Sequence, residues 1–185
     1  MIDEVLKDAR VRMQKAVEAT ARELATLRTG RASPALLEHI KVEYYGTTVP
    51  LNQLASISVP EPRLLVVQPW DRGATRAIEK AILQSELGLV PSSDGVVLRI
   101  PIPPLTEERR RELVRVARKH AEEGRVAVRN VRREAKETLE ELEDAHEISE
   151  DQARRAQEEL QKLTDRFIGE IDALLQKKEA EILEV

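Results

Sequence analysis

Positions Ile2, Leu6, Ala9, Met13, Ala16, Thr20, Leu24 and Leu27 step along the chain by fours and threes. That spacing predicts a first helix with one face turned towards other helices. It stops at Thr29-Gly30, where the glycine is expected to supply a left-handed cap. A second long pattern runs from Thr106 to Ala145, with no proline and one glycine. Pro103-Pro104-Leu105 precedes it, and Glu107 and Glu108 suit the positive end of a helix dipole. A helix of that length spans about 60 Å. Around its axis Leu113, Ala117, His120, Gly124, Ala127, Val131, Ala135 and Leu142 fall on one side. After a short acidic connection, Ser149 and Gln152 have the spacing of a capping box, with Ile148 placed to staple against Ala153. Ala153, Ala156, Leu160, Leu163, Phe167, Ile171, Leu174 and Ile182 then continue the three-four spacing. Three long amphipathic helices predict a three-helix bundle.

Between the first and second helices the period changes. Ser33-Pro34 can open a short turn, and Ile40 to Tyr45 and Thr47 to Val49 read as strands bent at Gly46. Ser56 to Val59, Leu64 to Val67 and Val96 to Ile100 read as further strands. Asp71 to Leu87 reads as one helix, and Ser92-Ser93-Asp94-Gly95 as a turn. The fold class is therefore α+β: a bundle from residues 1–29 and 106–185, with a small α+β domain inserted over 31–104. Two short crossings join them, near 28–31 and 102–105. Thr29, Gly30, Pro103, Pro104 and Leu105 are the candidate hinge residues, since two short links permit rotation while restraining translation.

Composition narrows the chemistry. The 185 residues include 35% charged side chains, four aromatics and no cysteine. Disulfides and thiolate metal sites are excluded, a reducing compartment fits, and the expected location is cytoplasmic. No apolar run reaches the ~20 residues a membrane span needs. His39, His120 and His146 lie in different segments; His120 falls on the apolar seam and reads as a packed residue. The acidic runs around Glu140 and Glu150 read as solvated helix ends, because an oxygen-ligand metal site needs a folded loop with a turn glycine. No phosphate loop is present. The residues offer no enzyme, cofactor or metal site.

Charge distribution says more than its sum of −4. Residues 106–136 hold eleven basic and six acidic side chains, whereas 137–185 hold six and sixteen. Opposite the apolar seam of the second long helix stand Arg111, Arg115, Arg118, Arg125, Arg129, Arg132, Arg133 and Lys136, interrupted by Glu122. One reading is a solvated face. Against it, solvated faces favour alternating lysine and glutamate, and here arginine outnumbers lysine seven to one. The guanidinium fork suits phosphate oxygens, and duplex RNA is read largely by shape and backbone. Structured RNA is the favoured partner. An acidic protein bound by a helical adaptor, or naked RNA bound by a chaperone, remains an alternative.

Five segments carry a resemblance. They are Thr29-Gly30-Arg31-Ala32-Ser33-Pro34, Val42-Glu43-Tyr44-Tyr45-Gly46 and Pro50-Leu51-Asn52-Gln53-Leu54-Ala55, then Pro104 to Arg110 and Val126 to Arg133. In content and order the chain resembles the bacterial ribosome recycling factor family along its whole length. The resemblance implies an L-shaped molecule, a three-helix bundle with a mobile β/α/β domain. It implies a monomeric, non-enzymatic translation factor that needs no cofactor of its own. With elongation factor G and GTP, such a factor splits post-termination ribosomes into subunits. It also implies that the bundle lies on large-subunit ribosomal RNA, with Arg132 matching the critical arginine. Arg28, Arg31 and Arg129 match further positions of that contact. Arg125, Arg133 and Lys136 join the expected site from the helical wheel alone, and Arg111, Arg115 and Arg118 stay unassigned.

Overall fold

A computed structural model describes residues 1–184. Its elements in order are α1 (Ile2–Ala25), β1 (Lys41–Tyr44), β2 (Thr47–Pro50), β3 (Ala55–Glu61), β4 (Leu64–Pro69), α2 (Thr75–Gln84), β5 (Ser92–Ser93), β6 (Leu98–Pro101), α3 (Glu107–Asp144) and α4 (Glu150–Leu183). The α+β class read from the pattern is the one observed. By its contacts the chain divides into two compact units. One is Met1–Leu24 with Val114–Ala180; the other is Ala25–Leu113 with the residues from Glu181 onward.

In the first unit, segments of α1, α3 and α4 share one core, in which Met13, Val128, Leu139, Leu160, Phe167 and Ile171 are fully or almost fully buried. The expected seam of α3 is present, with Ala117, Gly124, Val131 and Ala135 buried. The buried arc is wider than the wheel of one face anticipates. Ala121, Val128 and Leu139 are also inside, because α3 packs against two helices instead of one. The capping box of α4 forms as read. The Ser149 N–H donates to Gln152 Oε1 at 2.9 Å, and the Gln152 N–H donates to Ser149 Oγ at 3.0 Å. These bonds satisfy two of the amides a helix start leaves unpaired.

In the second unit, β3, β4, β6 and β5 form an antiparallel sheet in that order. The two central strands alternate: Leu65 and Val67 of β4 stand opposite Ile100 and Leu98 of β6, and all four are buried. Residues two apart on a strand share a face, so these four line one side of the sheet. A separate hairpin pairs β1 with β2, and α2 packs on β1, burying Ile78 and Ile82.

Three expectations change. Gly30 is not a left-handed cap, since α1 ends at Ala25 and Gly30 lacks positive φ. The chain is turned by side chains instead: the Arg31 N–H donates to Thr29 Oγ1 at 3.2 Å, and the Arg28 guanidinium donates to the Pro103 carbonyl. The helix expected over Asp71–Leu87 is shorter. Asp71 accepts the Gly73 N–H at 2.9 Å and caps a 3-10 turn over Arg72–Ala74, after which α2 runs only to Gln84. Ser92-Ser93 is a short strand, β5, and the turn follows it. There Asp94 Oδ1 accepts the Val96 and Val97 N–H groups, both at 2.9 Å.

At Gly124 there is no room for a side chain between α3 and its neighbours. A Cβ there would stand 2.1 Å from Thr20 Oγ1 and 3.2 Å from Ile171 Cδ1. Thr20 Oγ1 already donates to the Ala16 carbonyl at 2.9 Å, so rotating it away loses a bond. Gly124→Ala should cost about 1–3 kcal/mol through overpacking, despite alanine's better helix propensity. Adding Thr20→Ala should recover part of that loss. Urea unfolding of the single and double variants measures both effects.

Candidate nucleic-acid interface

The basic stripe is real, but its members are not equivalent. In its upper part Arg111 pairs with Glu107 at 2.7 Å, and Arg118 Nε reaches Glu179 of α4 at 2.7 Å. Arg125 lies deeper, its side chain 19% exposed. It donates to Asp172 of α4 at 2.7 Å and to Glu122 at 3.1 Å. Burial alone would depress its pKa, yet the bonds to Asp172 and Glu122 outweigh that and raise it. Glu122 also takes Arg129 at 3.2 Å, and its carboxyl is held below the usual range by Arg125 first and Arg129 second. Arg125 is therefore a clasp between α3 and α4 more than an open contact.

Towards the C-terminal half of α3 the neighbours change character. Arg132 Nη1 donates to Gln161 Oε1 of α4 at 3.3 Å, and Gln161 Nε2 donates on to Asp165 at 2.9 Å. Arg132, Lys136, Gln157, Leu160 and Gln161 line a shallow cleft of about 210 Å³. Its lining holds two cations and two amides and no carboxylate. Lys136 only brushes Glu140, at 4.0 Å. Arg133 is exposed and, like Arg115, holds no ion pair among the described residues. Thus Arg132, Arg133 and Lys136 are the cations of this face without a close carboxylate, Arg129 beside them is paired to Glu122, and α4 carboxylates cover Arg118 and Arg125.

Arg28 and Arg31 belong to the second unit. Arg28 is 9% exposed, with its Nε unpaired. Burial first, then the Arg109 and Arg63 charges, pull its pKa below the usual arginine value. Its bond to the Pro103 carbonyl ties the 28–31 crossing to the 102–105 crossing. Arg63 Nε also caps the Ile102 carbonyl, at 3.1 Å. Arg31 is exposed and pairs with Glu184. Thr29, Gly30, Pro103, Pro104 and Leu105 all lie within this unit. Gly30, Arg31, Pro104 and Leu105 line one cleft with Pro62, Arg63 and Arg110.

Comparison with known proteins places the chain. The family described as Ribosome recycling factor matches residues 20–183. The chain belongs to the ribosome recycling factor family. The ribosome-recycling factor of Carboxydothermus hydrogenoformans is 61% identical over 185 residues, covering all of both chains. That of Thermomicrobium roseum is 60% identical over the same full span. A solution structure of the ribosome recycling factor matches with TM-score 0.79 and 56% identity, over 100% of this chain and 98% of the other. A second structure is of the T. thermophilus ribosome recycling factor and the E. coli elongation factor G bound to the E. coli post-termination complex. It matches with TM-score 0.71 and 56% identity over the whole of both chains. The resemblance drawn from five segments therefore extends along the whole chain.

Sequence reasoning missed Asp172, Glu179, Gln157 and Gln161, which decide how each arginine is presented. A single-helix wheel carries no signal for a partner on another helix. Among the described residues no group of acids and histidines could hold a metal, and no helix is long and apolar enough to cross a membrane.

Arg125→Met should lower stability by about 1 kcal/mol, the scale of partly exposed charge-assisted pairs; Arg133→Ala should change it by less than about 0.5 kcal/mol. The Arg125 contribution should depend on pH. Glu122 has a depressed folded pKa, so its share is fully present above the ordinary carboxylate value near ~4.3 and is lost as pH falls through the lower folded value. Urea midpoints of wild type and Arg125→Met should converge on acidification.

Proposed function

We propose that this chain is a translation factor that, with elongation factor G and GTP, splits post-termination ribosomes into subunits for reuse. Family membership supports the general role. The observation that supports its anchoring surface is the carboxylate-free cleft at Arg132, Lys136, Gln157 and Gln161. A phosphate oxygen meeting Arg132 and Lys136 there would gain charge-assisted bonds without displacing an acid. Arg129 and Arg133 extend the same surface along α3 and would follow a phosphate backbone by shape. The T. thermophilus relative has been described with elongation factor G on a post-termination complex, which supports both partners for this chain.

The two crossings supply the second part of the reading. The bundle is the stiff anchor, and the inserted domain of residues 31–104 is the part a translocase displaces. Arg28, joined to the Pro103 carbonyl, would make the two crossings swing as one joint. Thr29, Gly30, Pro104 and Leu105 then take up the backbone rotation. Limited proteolysis of the free chain should cut near 28–31 or 102–105 before the interior of either domain, and cuts elsewhere first would remove the joint.

Arg132→Glu should weaken binding to isolated large subunits at least tenfold and flatten its dependence on salt, with the unfolding midpoint unchanged. Gln161→Glu is the sharper test. It sets a carboxylate against Arg132 without touching a cation and should weaken binding severalfold. Equal binding by both variants and wild type would sink the RNA anchor. Binding to naked RNA as tight as to assembled subunits would instead favour a chaperone, and indifference to ribosomes would favour an adaptor.

A further inference from the structure

The β1–β2 hairpin turns through two residues, because Tyr44 pairs with Thr47. Tyr45 and Gly46 both have positive φ, 49° and 78°. Two such residues make the primed turn that matches strand twist, and asparagine before glycine is its least strained sequence. Here a bulky tyrosine occupies the left-handed position, where most side chains are strained. Burial does not offset that strain, since Tyr45 is 81% exposed. Strain kept at an exposed aromatic points to use of the ring itself.

The surroundings say what the ring could meet. The Tyr44 and Tyr45 rings lie edge to face, with centroids 4.5 Å apart. The Tyr44 hydroxyl donates to Asp71 Oδ2 at 2.5 Å, and Asp71 Oδ1 accepts the Gly73 N–H. That bond holds the Tyr44 phenol neutral, its pKa pushed up to about 12. The Asp71 carboxyl is held below its usual value, chiefly by the same bond and then by Gly73. Each Asp71 oxygen keeps a free lone pair, and Arg72 makes no ion pair with it among the described residues. Immediately before Asp71 stands Trp70, the only tryptophan, 67% exposed. The remaining aromatic, Phe167, is buried in the bundle. The chain thus displays its exposed aromatics in one small domain, beside a fixed negative charge.

A nucleic acid has little reason to settle there. Residues 31–105 carry seven basic and seven acidic side chains and exert no net pull on phosphate. The presented carboxylate would repel a backbone, whereas an exposed ring face beside an anion attracts a cation. We propose that Tyr44, Tyr45, Trp70 and Asp71 form a docking patch for an arginine or lysine side chain of a protein component of the translation complex. The patch is separate from the arginine face of α3 and rests on the ribosomal role proposed above. The cation would lie over the Tyr45 ring with its charge towards Asp71. Tyrosine and tryptophan suit such a contact, presenting large area with few torsions to immobilise.

The test uses the full-length chain and reconstituted post-termination ribosomes with elongation factor G and GTP. Tyr45→Asn removes the ring and installs a residue at home in the left-handed turn, so its melting temperature should equal or exceed that of wild type. Its splitting rate should nonetheless fall at least fivefold, while its affinity for isolated large subunits stays within twofold. Tyr45→Phe keeps the ring and should split within twofold of wild type. A photoreactive phenylalanine analogue at position 45 should cross-link, in the assembled complex, to a protein peptide containing arginine or lysine. Splitting by Tyr45→Asn at the wild-type rate overturns the patch, as does cross-linking to ribosomal RNA or to nothing. Failure of the unsubstituted chain to split ribosomes overturns the ribosomal role, and the patch with it.

Discussion

The helix α3 packs against α1 and α4 at once, and that constraint governs the bundle and its charged face. At Gly124 a side chain of any size would meet Thr20 of α1 and Ile171 of α4. With so much of its circumference buried, α3 keeps one open side, and its cations are gathered there. A charged side chain is almost never fully buried unless paired. Arg125, with its side chain only 19% exposed, is clasped by two carboxylates. The same constraint therefore builds the bundle core and delivers the charged face.

The acidic helix α4 completes the sorting. Its carboxylates at Asp172 and Glu179 neutralise Arg125 and Arg118, while its amides at Gln157 and Gln161 flank Arg132. A stripe that looks uniform along α3 becomes two regions, one closed within the protein and one open to an outside anion. An exposed ion pair inside the protein is worth little in stability, but it competes with any phosphate for the same guanidinium. Local pairing, more than the count of arginines, sets where an outside anion could be held.

The inserted domain follows different rules. Its core is a sheet with strict alternation on β4 and β6, and its polar turns are held by aspartates that accept backbone N–H groups, Asp71 and Asp94. Against this economical background Tyr45 stands out, since a strained and exposed aromatic contributes nothing to the core. The exposed aromatics, Tyr45 and Trp70, thus stand on the insert, and the arginine stripe on the bundle.

Much of this was legible before any fold was known. The three-four spacing marked α1, α3 and α4 because an amphipathic helix repeats its buried face every turn, and the Ser149–Gln152 box marked the start of α4 because capping is local. The charge segregation and the family motifs were equally plain. Local rules failed where side chains from distant segments took over. Gly30 did not cap α1, because Arg28 and Thr29 turn the chain through bonds that include the Pro103 carbonyl. The strand β5 escaped notice because two serines have no hydrophobic pattern; it exists only through pairing with β6. What the sequence determined by itself was which residues are helical, which face is apolar and where positive charge accumulates, since each depends on near neighbours. Which arginines stay open was decided by the tertiary structure alone, because their partners lie on another helix, 29 positions away for Gln161 and 47 for Asp172. Only the register of α4 against α3 brings those side chains opposite one another.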